Sequence, residues 1–479
     1  MSAIDTSTWG ARHAHDPTIV RGDDGLWYMF STDAAAGVDR IPVGAHVRTS
    51  PDLVTWTYRG TALDGVPEAA AQWSGAAGLW APEVVRWPNP DAAQRWHMYY
   101  SASTFGSRTS AIGLATASSP AGPWTDRGIV IATQHDHDTV NAIDAAVVFD
   151  EAGTPWLIYG SFFGGIHAVE LSLETGKRRR DEPGVLLARR PRSVDGAIEG
   201  AYVVRHDGGY VLFVSYDSLA ATYSVRVGVA DAVTGPYLDR NGRDMTSPSE
   251  ADAEVTGTKV LGGLRFPGGR GLIAPGHNSI FRDGAATYMV HHVRLADAPT
   301  SHEAQVRRVH WTASGWPVVS PHPYAGAERE RLASAVPIAG EWDVVRFDPA
   351  TAGMVEAERV TIDADGEADG EAVATTLRVK VGSGAPRFVS PARAPHGQQA
   401  HGPTPASSGG ASTALRQAQG PTAAQGSAAA RGLTAAQGAT ALEAVVFGAW
   451  DPVAGRAVLA FSGFDEDGVV WSGSQAVVA

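Results

Sequence analysis

The chain has 479 residues, with 38 Lys+Arg against 51 Asp+Glu, a formal net charge of −13 at pH 7, and no Cys. Without Cys there is no disulfide framework, thiolate metal site, iron–sulfur cluster or cysteine nucleophile, and the acidic balance argues against a nucleic-acid partner. No run of about 18 apolar residues marks a membrane span, and Gly (55) with Pro (29), about one residue in six, favours turns and strands over helices.

The opening MSAIDTSTWG has neither the basic stretch nor the apolar core of a secretory leader, so a cytoplasmic location is expected. Five segments then repeat one plan. HDPTIVRGDDGLWYMFST starts at His15, APEVVRWPNPDAAQRWHMYYSAS at Ala81, DAAVVFDEAGTPWLIYGSFF at Asp144, EGAYVVRHDGGYVLFVSYDS at Glu199 and HNSIFRDGAATYMVHHV at His277. Each joins a short apolar strand through a Gly/Asp/Asn/Pro turn to an aromatic-rich strand, the pattern of a β-hairpin. Third strands follow in GAHVRTSPDLVTWTYRG, AIGLATASSPAGPWTDRG and SVRVGVADAVTGPYLDRNG. A recurring unit of three or four strands predicts an all-β fold, a five-bladed β-propeller over residues 1–325, in preference to a sandwich that would not explain the repeated order.

Beyond residue 325 the pattern ends. GEWDVVRFDPATAGMVEAERVTID reads as two further strands and ALEAVVFGAWDPVAGRAVLAFSGFDEDGVVWSGSQAVVA as three or four. A small C-terminal β-barrel domain is predicted over 336–479. It is interrupted at 381–441 by a low-complexity stretch of Ala, Gly, Pro, Gln and Ser with four Arg and no acidic residue. That stretch has too few bulky apolar side chains to offset the entropy of ordering it and is expected to be disordered.

Aligning the repeats on the residue that opens each inner strand gives Asp16, Ala81, Asp144, Glu199 and His277. At a common level of a propeller channel, three carboxylates and an imidazole would face one another. Clustered carboxylates repel, and one relieves the repulsion by keeping its proton. One ionised and one protonated carboxyl is the pair that glycoside hydrolysis needs: a base to activate water and an acid to protonate the leaving oxygen.

The motifs HDPTIV, LWAPEVV, NAIDAAVVFD, YGSFFGGI, IEGAYVV and PGHNSIF, in this order over residues 13–325, closely resemble glycoside hydrolase family 43, and among its members the two-domain endo-1,5-α-L-arabinanases. The resemblance implies an inverting hydrolase of α-1,5-linked arabinan, with Asp16 as general base, Glu199 as general acid and Asp144 tuning the acid and orienting substrate. It also implies that His277 holds a metal ion in the channel, usually calcium; read from the residue alone, a hydrogen-bonded structural histidine is the alternative. Asn141, Ala142, Ile143, Ser161, Phe162 and Phe163 match segments that touch substrate, and Gly106 is a further candidate. Trp80 either stacks on a furanose ring or packs in the core. Where the family usually has Pro after NAID, this chain has Ala145.

HDHD (His135–Asp138) alternates potential ligands but reads as a solvated loop, and KRRR (Lys177–Arg180) as a solvated edge. There is no phosphate loop, HExxH helix or G-x-S-x-G elbow. The expected partner is arabinan or its oligosaccharides as substrate, with no nucleic acid or membrane, and the protein is expected to be a monomer that needs no organic cofactor. Exo-acting α-L-arabinofuranosidase or β-xylosidase activity on the same scaffold is the alternative, and a non-catalytic carbohydrate-binding propeller is a third.

Overall fold

The computed structural model describes residues 5–88, 91–326, 335–368, 371–381 and 439–476. Among them the only α-helix is Glu68–Ser74; almost everything else that is regular is strand. This agrees with the turn-rich composition. The helix ends at Gly75, whose φ of +69° reaches the left-handed cap that other residues avoid.

Four sheets have four antiparallel strands each, in sequence order. Sheet I is Thr18–Arg21, Trp27–Ser31, His46–Ser50 and Thr57–Thr61; sheet II is Trp80–Arg86, Trp96–Ala102, Ser110–Ala117 and Thr125–Thr133. Sheet III is Ala146–Phe149, Pro155–Tyr159, Ile166–Glu170 and Val185–Ala188; sheet IV is Ile198–His206, Gly209–Tyr216, Ser224–Ala230 and Thr258–Leu261. Sheet V contains Leu272–Asp283, Ala286–Leu295, Ala298–Trp311 and Pro317–Val319. It gains two strands on one side, Gly263–Arg265 and, parallel to it at the edge, Met354–Glu356, which comes from beyond the predicted end of the repeats.

The first strands of sheets I to IV and Leu272–Asp283 of sheet V touch in cyclic order, and that of sheet V touches that of sheet I. The apolar faces between sheets fill with large side chains: Ile158, Tyr210, Leu212 and Tyr237 join sheets III and IV, and Phe30, Val84, Met98 and Trp124 join I and II. The ring is also clasped by the segment before sheet I. Ala304 N–H donates to Ala11 O and His13 N–H to His302 O, and Arg12 bridges to Glu303, so residues 11–13 lie along a strand of sheet V.

The remaining strands, Gly340–Phe347, Glu358–Asp363, Val373–Val381, Thr440–Asp451, Arg456–Phe464 and Val470–Gln475, pair antiparallel in a closed cycle. One face of this cycle shares an apolar core with sheets IV and V through Val345, Phe347, Phe447 and Phe464 against Phe213, Val260, Met289 and Val318. The predicted interruption at 381–441 falls almost wholly outside the described residues. Its flanking strands pair directly, Val379 opposite Thr440, so it enters the cycle at one hairpin.

Candidate active site

The site forms where the inner strands begin. Asp16, Ala81, Asp144, Gly200 and His277 all have positive φ, between +40° and +60°. Each stands two residues before the position where the ladder to the second strand runs on: Thr18 opposite Phe30, Glu83 opposite Tyr99, Ala146 opposite Ile158, Tyr202 opposite Phe213 and Ser279 opposite Val290. Left-handed backbone at non-glycine residues is costly and collects at functional sites. The repeat alignment therefore needs one correction. In sheet IV the equivalent position is Gly200, and Glu199 lies one residue earlier, opposite Ser215. Gly200 is required there, because a Cβ would lie 2.9 Å from the His277 ring carbon Cγ.

Asp16 is the most heavily supported carboxylate. Its Oδ1 lies 2.8 Å from His15 Nδ1 and 3.0 Å from His277 Nδ1, and its Oδ2 accepts from Thr32 Oγ1 at 2.6 Å. Its amide N–H donates to His292 Nδ1 at 3.3 Å, which leaves that buried ring neutral with its proton on Nε2. His292 in turn stacks on His15, ring centroids 3.7 Å apart. Burial pushes the Asp16 pKa up, but His15 and His277 outweigh it and hold the carboxylate well below its ordinary range.

Glu199 sits in a different environment. Its Oε2 accepts from Ser161 Oγ at 2.8 Å and its Oε1 from Tyr223 OH at 2.9 Å. Burial dominates and raises its pKa in spite of His277 and both hydroxyls. Asp144 is also raised, by burial first and then by the charges of Glu199 and Asp16, although His277 opposes the shift. Its Oδ2 accepts from Gly200 N–H at 3.2 Å and its own N–H donates to Ser101 Oγ at 3.0 Å. For His277 burial lowers the pKa, but Asp16 and Asp144 prevail and lift it to about 10. The four groups thus form one electrostatic unit with an ionised and a protonatable carboxyl.

The other predicted positions separate. Ser161 reaches the cluster through Glu199, whereas Asn141 is buried with Oδ1 accepting from Ser110 Oγ, Ala142 is fully buried, and Ile143 is nearly so. Phe162 and Phe163 are left-handed at φ +51° and +35°. Phe163 is exposed beneath the Arg108 guanidinium, 4.6 Å from its ring centroid. Gly106 turns at φ +77° in an exposed loop beside Phe105, and Trp80 is half-buried at the start of sheet II. Sequence reasoning missed Thr32, Tyr223 and His292, which come from second strands or the loops beyond them. His15 carried a signal, since it directly precedes Asp16.

The donor set allows a test of the expected calcium. Metal-binding histidines commonly anchor one ring nitrogen on a carboxylate and ligate through the other; His277 has Nδ1 on Asp16, which frees Nε2, so the residue fits. Among the described residues, the side chains whose ligand atoms already converge, within 4.8 Å, are His15, Asp16 and His292. That trio is not a ready site, because His292 Nδ1 already accepts from the Asp16 amide and its Nε2 carries the proton.

Buried carboxyls whose pKa values shift in opposite directions, at one end of a ring of sheets, suit a glycoside hydrolase. The chain belongs to glycosyl hydrolases family 43, whose family model matches residues 10–317. It is 32% identical over 324 residues to the extracellular exo-alpha-(1->5)-L-arabinofuranosidase ArbA of Cellvibrio japonicus, covering 64% of this chain and 86% of that one. It is 29% identical to the extracellular endo-alpha-(1->5)-L-arabinanase 2 of Bacillus subtilis, covering 65% and 71%. The solved structure of endo-1,5-alpha-L-arabinanase from Thermotoga petrophila superposes with a TM-score of 0.72 over 98% of this chain and all of that one, at 22% identity.

Proposed function

We propose that this glycosidase hydrolyses internal α-1,5-L-arabinofuranosyl linkages of arabinan with inversion, on a five-bladed β-propeller followed by a C-terminal β-barrel. The observation that carries the reading is the split between Asp16, held ionised by His15 and His277, and Glu199, whose pKa burial raises. Asp16 takes a proton from a water molecule as the water oxygen bonds to the anomeric carbon. Glu199 gives its proton to the glycosidic oxygen as the C–O bond breaks, and solvent then restores both groups. Asp144, beside Glu199 in charge and hydrogen-bonded to Gly200, disfavours ionisation of the acid and holds the turn that presents it.

In this reading His277 would hold a calcium ion through Nε2, and the ion's charge would offset the surrounding carboxylates. Chelation should lower the Tm of the wild type and leave that of His277→Ala unmoved; equal responses would remove the ion from His277.

Endo action is tested on debranched arabinan. A rapid fall in viscosity with mixed oligosaccharides is expected. Arabinose as the sole early product would favour the exo reading, which the likeness to ArbA supports.

A further inference from the structure

Large apolar side chains are exposed at few places among the described residues, and the aromatic ones are three: Trp73 (42% exposed), Phe105 (67%) and Phe163 (46%). All three lie on the face that carries the carboxylates. In each sheet that face holds the start of the first strand, the loop from second to third strand, and the connection to the next sheet. Phe105 is in the second-to-third loop of sheet II, Phe163 in that of sheet III, and Trp73 in the helix that connects sheet I to sheet II. No exposed aromatic ring among the described residues comes from sheets IV or V, so the aromatic surface is one-sided.

A chain of contacts joins two of these rings, Phe163 and Trp73, to the acid. Glu199 accepts from Ser161, two residues before Phe163. The Phe163 ring meets Arg108 on its face and the His135 ring edge-on, centroids 6.2 Å apart. Arg108 N–H donates to His135 Nδ1 at 3.1 Å, and Arg108 Nη2 bonds His135 O, so the two loops are tied together. Two residues before His135, the carbonyl of Thr133 accepts the indole N–H of Trp73 at 3.0 Å. Trp73 is thus pinned by its polar edge while its ring stays open to solvent. Tryptophan is highly buried on average, and a fixed aromatic face loses little freedom when it takes a ligand.

We propose that Trp73 is the outermost platform of a sugar-binding shelf, holding an arabinofuranosyl unit of a long chain well away from the bond being cut. This deepens, and rests on, the arabinanase reading. A furanose presents C–H groups on one face and hydroxyls at its rim, so it can stack on an indole without leaving polar groups dry. The shelf makes the enzyme prefer polymer to short oligosaccharides, because short chains end before they reach Trp73.

The test compares kcat/KM on linear α-1,5-arabinan with that on α-1,5-arabinotriose for wild type, Trp73→Ala, Trp73→Leu and Trp73→Phe. The polymer-to-trisaccharide ratio should fall about tenfold in Trp73→Ala and Trp73→Leu, the loss lying in KM for polymer, and Trp73→Phe should restore most of it. The Leu variant keeps an apolar cover over the site without a flat ring, which separates stacking from packing. An unchanged ratio in both, or a Phe variant as impaired as Ala, overturns the proposal. If the wild type released nothing from either substrate, the arabinanase reading would fail and the shelf with it. If the wild type cut both and the ratio stayed put, only the shelf would be lost.

Discussion

Two successive levels of the inner strands carry buried carboxyls and treat them differently. The upper level has Asp16, Asp144 and His277 at left-handed positions, with Glu199 beside Gly200. Two residues further along each strand lie Thr18, Glu83, Ala146, Tyr202 and Ser279. There Glu83 Oε2 accepts from Thr18 Oγ1 at 2.8 Å and Oε1 from Tyr202 OH at 3.2 Å, so one carboxyl ties sheets I, II and IV together. Burial raises Glu83 to about 7, with only hydroxyls and a backbone N–H to oppose it. Burial acts on Asp16 as well, yet two imidazoles reverse it. Low dielectric is common to both levels, and the placement of histidine decides which carboxyl is an anion and which is a tie.

The sharpest way to break this contrast is at the upper level. Asp16→Asn and Glu199→Gln should each lower kcat by roughly 10³-fold with Tm preserved within a few degrees. The wild-type kcat/KM profile should be bell-shaped. Its acid limb lies below the ordinary aspartate range, since Asp16 must be ionised and its pKa is depressed. Its alkaline limb lies above the ordinary glutamate range, since Glu199 must be protonated and its pKa is raised. An acid limb near pH 4 or above would show that the histidines do not control Asp16.

At the lower level the effect is on stability. A carboxyl whose folded pKa is raised contributes stability that is full below its unfolded value and is lost as pH rises through the folded one, here about 7. Glu83→Gln has no such loss. Its unfolding free energy relative to wild type should improve by roughly 3 kcal/mol between pH 5 and pH 9. A difference that stays constant with pH would mean that Glu83 is ionised in the folded protein.

The smallest effect is expected far from both levels. Because Val379 pairs with Thr440, residues 382–438 can be replaced by a short Asn-Gly turn. Activity on arabinan should remain within about twofold of wild type, and a larger loss would assign that segment a part in turnover.

Much of this arrangement was legible in the sequence, and its limits have physical causes. The strand-turn-strand repeats were visible because alternating burial and turn residues are local. Asp16, Asp144 and His277 were found because they share a register. Glu199 was placed one residue off, since the left-handed backbone that defines the register leaves no mark except the glycine after it. His292, Tyr223 and Thr32 were invisible because their meaning depends on neighbours brought from other strands; His292 acts on an amide 276 residues away. The parallel strand Met354–Glu356 likewise has no local signal that ties it to sheet V.

The clasp of residues 11–13 on sheet V joins the first and last sheets of the ring. Glu199 and Asp144 take their hydrogen-bond partners from sheets II to IV and the loops between their strands. Asp16 lies three residues after the clasp and takes His277 and His292 as partners from sheet V, so its surroundings draw on both ends of the ring. Cutting the chain between sheets IV and V would strip Asp16 of His277 and His292 while leaving Glu199 its two hydroxyl donors.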